Sequence, residues 1–464
     1  MAIFLFLNPI RNWGIFFLLV ICNSTKAQSP VRLITIDPGH FHAALVQKTM
    51  YSNVDPIVYV YAPKGDDLKM HLDRINTYNL RAENPTHWKE EIYTGNDFFV
   101  KMIKDNTEAT KKESARKSVI VLAGNNQKKT EYIFKSLQNG FNVFADKPMV
   151  IDAAGFGLLK KSFEIAKKQQ LLLYDIMTER FEITTILQRE LSSMPVVFGQ
   201  LEKGTLENPA IVKESVHNFY KYVSGAVLTR PAWFLDAAQQ GEGIVDVMTH
   251  LVDLVQWECF PEQKIDYLKD ITINTAKRWA TDITLSKFKE LTKQEKFPSY
   301  LKANIIDTTL KVFCNGEINY MIKGVHAKTT AIWNYKAPVG AGDTYYSIMR
   351  GTKANIVIRQ GVQEHYTPTL YIEPIQVYNE NILREQFKNL QIKYPGIELK
   401  KSSGGWEVVI PEILKEGHES HFGKVTEKYL EYLTKGNIPA WEVPNMLAKY
   451  YTTIKGLETA LKNK

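Results

Sequence analysis

An apolar run followed by a helix and a second strand most constrains the fold of this chain. Residues 118–124 read SVIVLAG, which is typical of a strand buried in a parallel sheet, and the stretch 128–139 has helical spacing. Gly140 ends that helix, and FNVFADKPM at 141–149 predicts the next strand. In a β-α-β unit the carboxyl ends of both strands meet at the ligand-binding edge of the sheet. The polar residues expected at this edge are Asn125, Asn126, Asp146 and Lys147.

A second segment, GEGIVDVMTHLVDLVQW at 241–257, contains a pair of residues suited to proton transfer. Asp246 and His250 are four positions apart, so on a helix their side chains share one face. A carboxylate beside an imidazole suits acid–base chemistry near neutral pH. The other positions are mostly apolar, which predicts a largely buried helix. The segment is equally typical of an amphipathic helix whose polar stripe faces solvent.

The first predicted strand, VRLITID at 31–37, runs into a short turn and a helix from Ala43. This order is the layout of a dinucleotide-binding unit, in which the helix start receives a diphosphate. The glycine pattern is weak, because Asp37 stands at the first glycine position and Pro38 has no N–H. A purely structural turn is the alternative. The candidate cofactor-binding residues are Gly39, His40, Phe41, Asn125 and Asp146.

Length and composition fit a globular protein of two domains. The chain has 464 residues, of which 44% are hydrophobic and 23% charged. The net charge is +8, but the lysines are dispersed or lie beside acids, which argues against nucleic-acid binding. The histidines are scattered and the cysteines lack zinc-type spacing. No metal site is therefore predicted, although one assembled by the fold stays open.

Residues 1–27 are predicted to be an export signal. Arg11 precedes an apolar run at 13–22, and Ala27 is a small residue at the cleavage position before Gln28. The run is shorter than the ~20 apolar residues that a membrane-spanning helix needs, although an uncleaved anchor is the alternative. We therefore expect an exported protein, periplasmic or extracellular, without stable membrane insertion.

Several motifs resemble those of the glucose-fructose oxidoreductase, inositol dehydrogenase and MocA (Gfo/Idh/MocA) family of sugar and cyclitol oxidoreductases. GFNVFADKP at 140–148 looks like the family's G-x-x-V-x-x-E-K-P. GEGIVDVMTH at 241–250 is similar to its G-G-x-x-x-D-x-x-x-H, and GTKANIVI at 351–358 is similar to its late G-T-x-G strand. With the N-terminal strand, turn and helix, the resemblance spans most of the chain.

The resemblance implies an α/β fold, with an N-terminal Rossmann-like dinucleotide-binding domain followed by an α/β domain that has a large, open, mostly antiparallel sheet. It implies NAD or NADP as cofactor, and the sequence does not decide between them. By the same resemblance, Lys147 contacts the cofactor ribose or the substrate, and His250 takes the proton of a sugar hydroxyl. Asp246 would orient the substrate or His250.

The departures from the family pattern concern mainly the cofactor. Asp146 replaces the family's glutamate, and Glu242 replaces the second glycine before the Asp246 helix. The stretch 217–236 supplies aromatic and hydrogen-bonding side chains that suit a sugar, although Phe234 is expected only to pack the domain interface. The candidate substrate-binding residues are His217, Tyr220, Arg230 and Trp233.

The domains are predicted at residues 30–174 and 175–464, the second with an added β segment at 363–413. Strand-like segments after residue 170 lie at 171–177, 196–205, 271–280, 308–325 and 354–360, and a hairpin turning at Ser403-Gly404-Gly405 is expected within the added segment.

Three functions follow from these patterns. The first is an exported NAD(P)-dependent oxidoreductase that acts on a hydroxyl of a sugar, glycoside or cyclitol with a tightly held cofactor. The second is an NAD-dependent glycosidase or lyase that works through transient oxidation at C3, and the third is a non-catalytic carbohydrate-binding protein. Family likeness also makes a homo-oligomer possible.

Overall fold

The first sheet is parallel and carries the N-terminal part of the chain. The computed structural model describes residues 31–112, 117–223, 226–375 and 379–462, so the predicted export signal at 1–27 lies outside the described residues. The strands are β1 (Val31–Ile36), β2 (Val54–Ala62), β3 (Lys89–Thr94), β4 (Ser118–Leu122), β5 (Asn142–Asp146) and β6 (Leu173–Ile176). Their order is β3-β2-β1-β4-β5-β6, the Rossmann order.

Helices follow the strands of this sheet. They are α1 (His42–Leu45), α2 (Asp66–Leu80), α3 (Phe98–Lys112), α4 (Lys129–Gln138) and α5 (Ala153–Gln169). β1, β4 and β5 are buried throughout, as their apolar sequences require of central parallel strands. α1 has only four residues, so the helix predicted from Ala43 is one turn long. Strand order reverses between β1 and β4, and their carboxyl ends therefore border the ligand crevice.

The second sheet is large and mostly antiparallel. Its strands are β7 (Ile211–Tyr220), β10 (Ile271–Ile283), β11 (Ile305–Ile306), β12 (Thr309–Ile322), β13 (Val325–Lys336), β14 (Thr344–Arg350), β15 (Ala354–Arg359), β16 (Thr369–Pro374), β17 (Glu398–Ser402) and β18 (Gly405–Val409). Among the described strands of this second sheet, only β7 and β13 pair in parallel. A separate short hairpin joins β8 (Tyr222–Val223) and β9 (Ala226–Val227). The predicted fold class is confirmed.

Helices pack on this sheet and return to the first one. They are α6 (Ile183–Ser192), α7 (Ala237–Gln240), α8 (Met248–Cys259), α9 (Leu285–Thr292), α10 (Glu380–Lys393), α11 (His418–Lys435) and α12 (Glu442–Lys462). α8 packs on β7 and β13, and α12 packs on β10, α8 and α5. α11 contacts α1 and β6 of the Rossmann unit. The C-terminal helices therefore fix the two sheets against each other.

Some strand predictions were wrong. The segment 196–205 forms turns and two isolated bridges, because Gly199 and Gly204 adopt positive φ values of 79° and 63° that interrupt an extended strand. β7, a central strand of the second sheet, was not predicted, and neither was α10. The predicted hairpin is present, with β17 and β18 joined at 403–404.

No helix among the described residues is long and apolar enough to cross a membrane.

Candidate active site

A cleft of about 720 Å³ lies at the carboxyl edge of the first sheet, where the second sheet approaches it. The turn after β1, the end of β5 and the start of α8 line one part of it, while β7 and β13 contribute another. α11 adds His418 from the far end of the chain. Elements of both sheets therefore surround one polar cavity at the topological switch point.

Lys147 and Asp246 form a buried ion pair in this cleft. Lys147 Nζ donates to Asp246 Oδ1 at 2.7 Å, and the two side chains are 10% and 6% exposed. Gln240 Nε2 donates to the second carboxylate oxygen at 3.0 Å. Asp246 lies in the turn that precedes α8, whereas His250 lies on α8 itself. Of the pair predicted to share one helix, only His250 is therefore on the regular helix. The carboxylate is held by Lys147 and Gln240 and fixes the ammonium toward the cleft.

His250 lies in the first turn of α8 and lines the same cleft. Burial, helped by the charge of Lys147, lowers the pKa of His250 to about 4. Its Nδ1 is buried and has no hydrogen-bond partner within the described part of the chain. The imidazole is therefore neutral at pH 7 and has a nitrogen that is able to accept a proton.

A second acid–histidine pair faces His250. His418 Nδ1 lies 3.3 Å from Glu179 Oε1. Burial alone would raise the pKa of Glu179, but the hydrogen bond and charge of His418 hold it below its usual range. Both residues line the cleft. The cleft thus contains an ionised carboxylate, Glu179, near the neutral imidazole of His250.

The turn after β1 brings two more histidines to the end of β5. His42 Nδ1 lies 2.9 Å from Asp146 Oδ2, and His40 Nδ1 lies 3.7 Å from the same oxygen. Burial lowers the pKa of both imidazoles well below the ordinary value, so both are neutral. Lys129 Nζ donates to the backbone oxygen of Asp146 at 3.1 Å.

Two N–H groups of the same turn are bonded within the protein. Gly39 N–H donates to the carbonyl of Asp37 at 2.8 Å, and His40 N–H donates to that of Ala123 at 3.2 Å. Burial, and then the charge of Asp67, raises the pKa of Asp37 to about 6. A Cβ on Gly124 would lie 2.0 Å from the Asp37 carbonyl oxygen, so the turns after β1 and β4 touch through backbone. The Gly39 and His40 N–H groups are therefore not available to a diphosphate.

Arg230 and aromatic rings form another wall of the cleft. The Arg230 guanidinium carbon lies 4.5 Å from the Phe234 ring centroid and 5.1 Å from that of Trp333. Burial lowers the pKa of Arg230 to about 10. His217 stacks on Trp333 with ring centroids 5.0 Å apart, and its Nδ1 lies 3.4 Å from Asp343 Oδ2. Flat rings beside fixed donors suit a polyhydroxylated ligand.

The predicted site residues divide into two groups. Those that line this cleft are Lys147, Asp246, His250, His40, Phe41, Asp146, His217 and Arg230. Gly39 lines a neighbouring cavity instead, together with Asp67. Trp233 donates from Nε1 to Asp67 at 2.8 Å and packs beside Gly39. Asn125 bonds Gln239 at 2.7 Å, and Tyr220 contacts Tyr222 and Lys336 at the end of β7. Those last three do not line the cleft.

Several cleft residues were not predicted. They are His42, Glu179, Gln240, Trp333 and His418, while Lys221 belongs to the stretch 217–236 that was predicted to supply sugar-binding side chains and Phe234 was expected only to pack. His42 had a usable signal, because positions 37, 39 and 42 match the spacing of G-x-G-x-x-G. A histidine at the third glycine position indicates a changed site. His418 carries no local signal, since only the packing of α11 brings it to the cleft.

The cleft fits a nicotinamide ring better than the turn fits a diphosphate. Asn126 Oδ1, buried at the cleft, has no hydrogen-bond partner among the described residues and can accept from a carboxamide. Lys147 and Asp246 supply a fixed cation for a ribose or substrate oxygen. Because the Gly39 and His40 N–H groups are engaged, a diphosphate would draw further contacts from side chains such as Arg74, which lines the neighbouring cavity.

The architecture and the polar cleft define a two-domain oxidoreductase of the Rossmann type. The family described as "Putative oxidoreductase C terminal domain" matches residues 187–461. A crystal structure described as a "putative oxidoreductase" from Parabacteroides merdae ATCC 43184 is 53% identical, with a TM-score of 0.90 over 94% of this chain and 99% of the other. The chain therefore belongs to this oxidoreductase family.

More distant structures share the fold. KijD10, a 3-ketoreductase from Actinomadura kijaniata solved with NADP and TDP-benzene, is 12% identical with a TM-score of 0.55, over 93% of this chain and 98% of its own. Levoglucosan dehydrogenase, solved with NADH and levoglucosan, is 11% identical with a TM-score of 0.56, over 94% and 98%. A search of curated proteins found no match.

Proposed function

We propose that this protein is an exported NAD(P)-dependent oxidoreductase that acts on a hydroxyl of a sugar, glycoside or cyclitol. The observation that carries the proposal is the fixed Lys147–Asp246 pair in one cleft with neutral His250, at the ligand edge of a Rossmann sheet. A proton acceptor beside a cation is the arrangement needed to turn a hydroxyl into a carbonyl.

Different residues of the cleft would accept the proton and stabilise the charge in such an oxidation. A bound nicotinamide would supply the acceptor for the hydride that leaves the carbinol carbon. His250 would accept the hydroxyl proton at Nδ1, the nitrogen that has no partner among the described residues. Lys147, held by Asp246, would stabilise the negative charge that develops on the oxygen. The products are a carbonyl, a protonated imidazole and a reduced cofactor, so protons and electrons balance.

The substrate class rests on the wall opposite these groups. Trp333 lines the cleft against the stacked ring of His217, and His217 and Arg230 supply hydrogen-bonding groups beside it. Sugars present both apolar C–H faces and hydroxyl groups, which match such a wall. Levoglucosan dehydrogenase, a structure of the same fold, is described with an anhydrosugar bound. This supports a carbohydrate, without naming the sugar or the oxidised carbon.

Export and tight cofactor binding are parts of the proposal that depend on each other. The predicted signal at 1–27 would place the protein outside the cytoplasm, where free nicotinamide dinucleotide is scarce. A working enzyme there would have to retain its cofactor and reoxidise it with a second substrate. Homo-oligomerisation stays a prediction.

The Glu179–His418 pair in the cleft favours a second candidate, an NAD-dependent glycosidase or lyase. Such an enzyme oxidises C3 transiently and recovers its cofactor within each turnover, so it never needs to exchange it. The Glu179–His418 pair would add the second acid–base group that elimination and readdition require. The non-catalytic carbohydrate-binding protein remains the third candidate.

A glycoside panel separates the three. Purified protein is incubated with each compound while absorbance at the reduced-nicotinamide band and released aglycone are followed together. Net reduction supports the dehydrogenase, aglycone release without net reduction supports the lyase or glycosidase, and binding without either supports the third candidate.

His250→Gln tests the assigned base. We expect it to lower turnover ~10²- to 10⁴-fold. The matched control His87→Gln changes an exposed histidine outside the cleft and is expected to keep full activity. Equal activity in both variants would refute the role of His250.

A further inference from the structure

Three potential metal ligands converge where the turn after β1 meets the end of β5. One ring nitrogen each from His40 and His42 and a carboxylate oxygen of Asp146 all lie within 4.8 Å of one another. The shortest separations, 2.9 Å and 3.7 Å to Asp146 Oδ2, bracket the spacing of neighbouring ligands around a zinc ion with bonds of about 2.0 to 2.2 Å. The two imidazole centroids are 4.0 Å apart, with the rings perpendicular.

Hydrogen bonding leaves this cluster incomplete. His42 Nδ1 shares one hydrogen bond with Asp146, whereas His40 Nδ1 is buried and has no hydrogen-bond partner within the described ranges. A buried polar atom without a partner costs about 1–3 kcal/mol. Lys129 bonds the backbone oxygen of Asp146 and Lys147 bonds Asp246, so neither lysine is hydrogen-bonded to the Asp146 carboxylate. The cluster therefore contains a potential metal-ligand atom, His40 Nδ1, that makes no hydrogen bond within the described residues.

The sequence builds the cluster from positions that a dinucleotide-binding turn uses differently. His42 stands at the third glycine position, where that turn needs a small residue for close packing of the helix. The following helix is reduced to four residues, and the Gly39 and His40 N–H groups are bonded within the protein. The changes that weaken a diphosphate site thus supply two imidazoles to the cleft.

We propose that His40, His42 and Asp146 bind a divalent transition-metal ion of the zinc class. Three protein ligands with an open fourth position are the pattern of a catalytic zinc site. All three residues line the cleft that contains Lys147 and His250, so the open position would take an oxygen of the bound sugar. Binding displaces the proton shared by His42 and Asp146 to solvent. The role toward sugar oxygen rests on the proposed function, whereas metal binding does not.

Metal analysis of the untagged, purified chain tests this site. The protein is stripped with chelator, reloaded with Zn²⁺ or Co²⁺, dialysed and measured by elemental analysis and by the visible absorption of bound Co²⁺. We expect about one ion per chain and Co²⁺ bands typical of a four-coordinate nitrogen and oxygen site. His42→Ala and Asp146→Asn should each weaken binding by at least ~100-fold, the upper end of what losing an outer-shell partner costs.

Two controls keep the result decisive. His87→Ala removes an exposed histidine outside the cluster and should retain the ion. Asp146→Asn keeps the shape of the side chain, so it remains informative if His42→Ala does not fold, which circular dichroism reports. No tight ion, or equal binding in wild type and both cluster variants, would overturn the metal site. Dinucleotide content is measured separately on the same samples, so loss of one proposal is distinguishable from loss of the other.

Discussion

Replacing Lys449 by methionine is expected to destabilise the protein strongly, because this lysine joins three parts of the fold. Its ammonium lies 2.6 Å from Asp175 at the end of β6 and 2.9 Å from Asp253 on α8. All three side chains are at most 2% exposed. Arg180 also binds Asp253, with contacts of 2.6 and 2.7 Å. The network thus links α12 and α8 to the Rossmann sheet.

The expected loss of stability follows from the contacts that each carboxylate retains after Lys449 is replaced. Without Lys449, Asp253 retains its two bonds to Arg180, whereas Asp175 retains a hydrogen bond from Tyr450 at 2.8 Å but loses its ion pair with Lys449. Removing one partner of a buried ion pair costs about 3–5 kcal/mol. We expect a loss of that size in the free energy of unfolding at pH 7. Adding Asp175→Asn should recover a large part of it, because the buried network then returns to the excess of one carboxylate that it has with Lys449 in place, with Arg180 shared by Asp253 and Glu442.

Guanidinium denaturation, followed by tryptophan fluorescence and by circular dichroism, measures the effect. Coincidence of the two transitions checks that unfolding is two-state. Lys455→Met, on the same helix, removes a lysine that is 44% exposed and pairs with Glu458 at 2.6 Å, so it should cost less than about 1 kcal/mol. The reasoning is refuted if Lys449→Met costs no more than Lys455→Met, or if the double variant is no more stable than Lys449→Met.

Two further predictions concern stability. Burial raises the pKa of Glu90 from 4.5 to about 7, so the folded state holds this proton more tightly than the unfolded state and loses stability as pH rises from 4.5 to 7. Glu90→Gln should therefore raise the free energy of unfolding by about 1–3 kcal/mol at pH 8 and by little at pH 4.5. Thermal melts at the two pH values measure the effect. Equal effects at both pH values would contradict the expectation. Gly124→Ala should cost about 1–3 kcal/mol in urea unfolding, because its Cβ would meet the Asp37 carbonyl oxygen at 2.0 Å. The control Gly157→Ala, in α5 with open space around it, should be neutral or stabilising. Equal losses of stability in both glycine variants would argue against the close contact between residue 124 and the Asp37 carbonyl oxygen.

The sequence predicts the first sheet well because its central strands are written as continuous apolar runs. β7 was missed because its buried residues include Lys213, which is compatible with burial only through Glu258 on α8 at 2.9 Å. Both side chains are fully buried, and their pairing depends on tertiary structure that no local pattern reveals. The segment 196–205 was wrongly predicted to be a strand, because two glycines with positive φ interrupt it after its apolar start.

The candidate site divides in the same way. Lys147, Asp246 and His250 were found because each stands in a motif with fixed spacing, and the structure brings them to one cleft. Glu179 and His418 come from a short 3-10 helix and from α11, 239 positions apart in numbering, and meet only through packing. Motif spacing reports on residues of one element, whereas the cleft is built from both sheets and the C-terminal helices.

The central claim is that this cleft holds a nicotinamide dinucleotide. The direct test is to purify the chain from Gln28, denature it, and identify any released dinucleotide by mass spectrometry against protein concentration. We expect about one molecule of NAD or NADP to be released per protein chain, and less from the Lys147→Ala variant. Finding neither in the protein, together with no binding when NAD or NADP is added, would contradict the oxidoreductase proposal and leave a carbohydrate-binding scaffold as the better description.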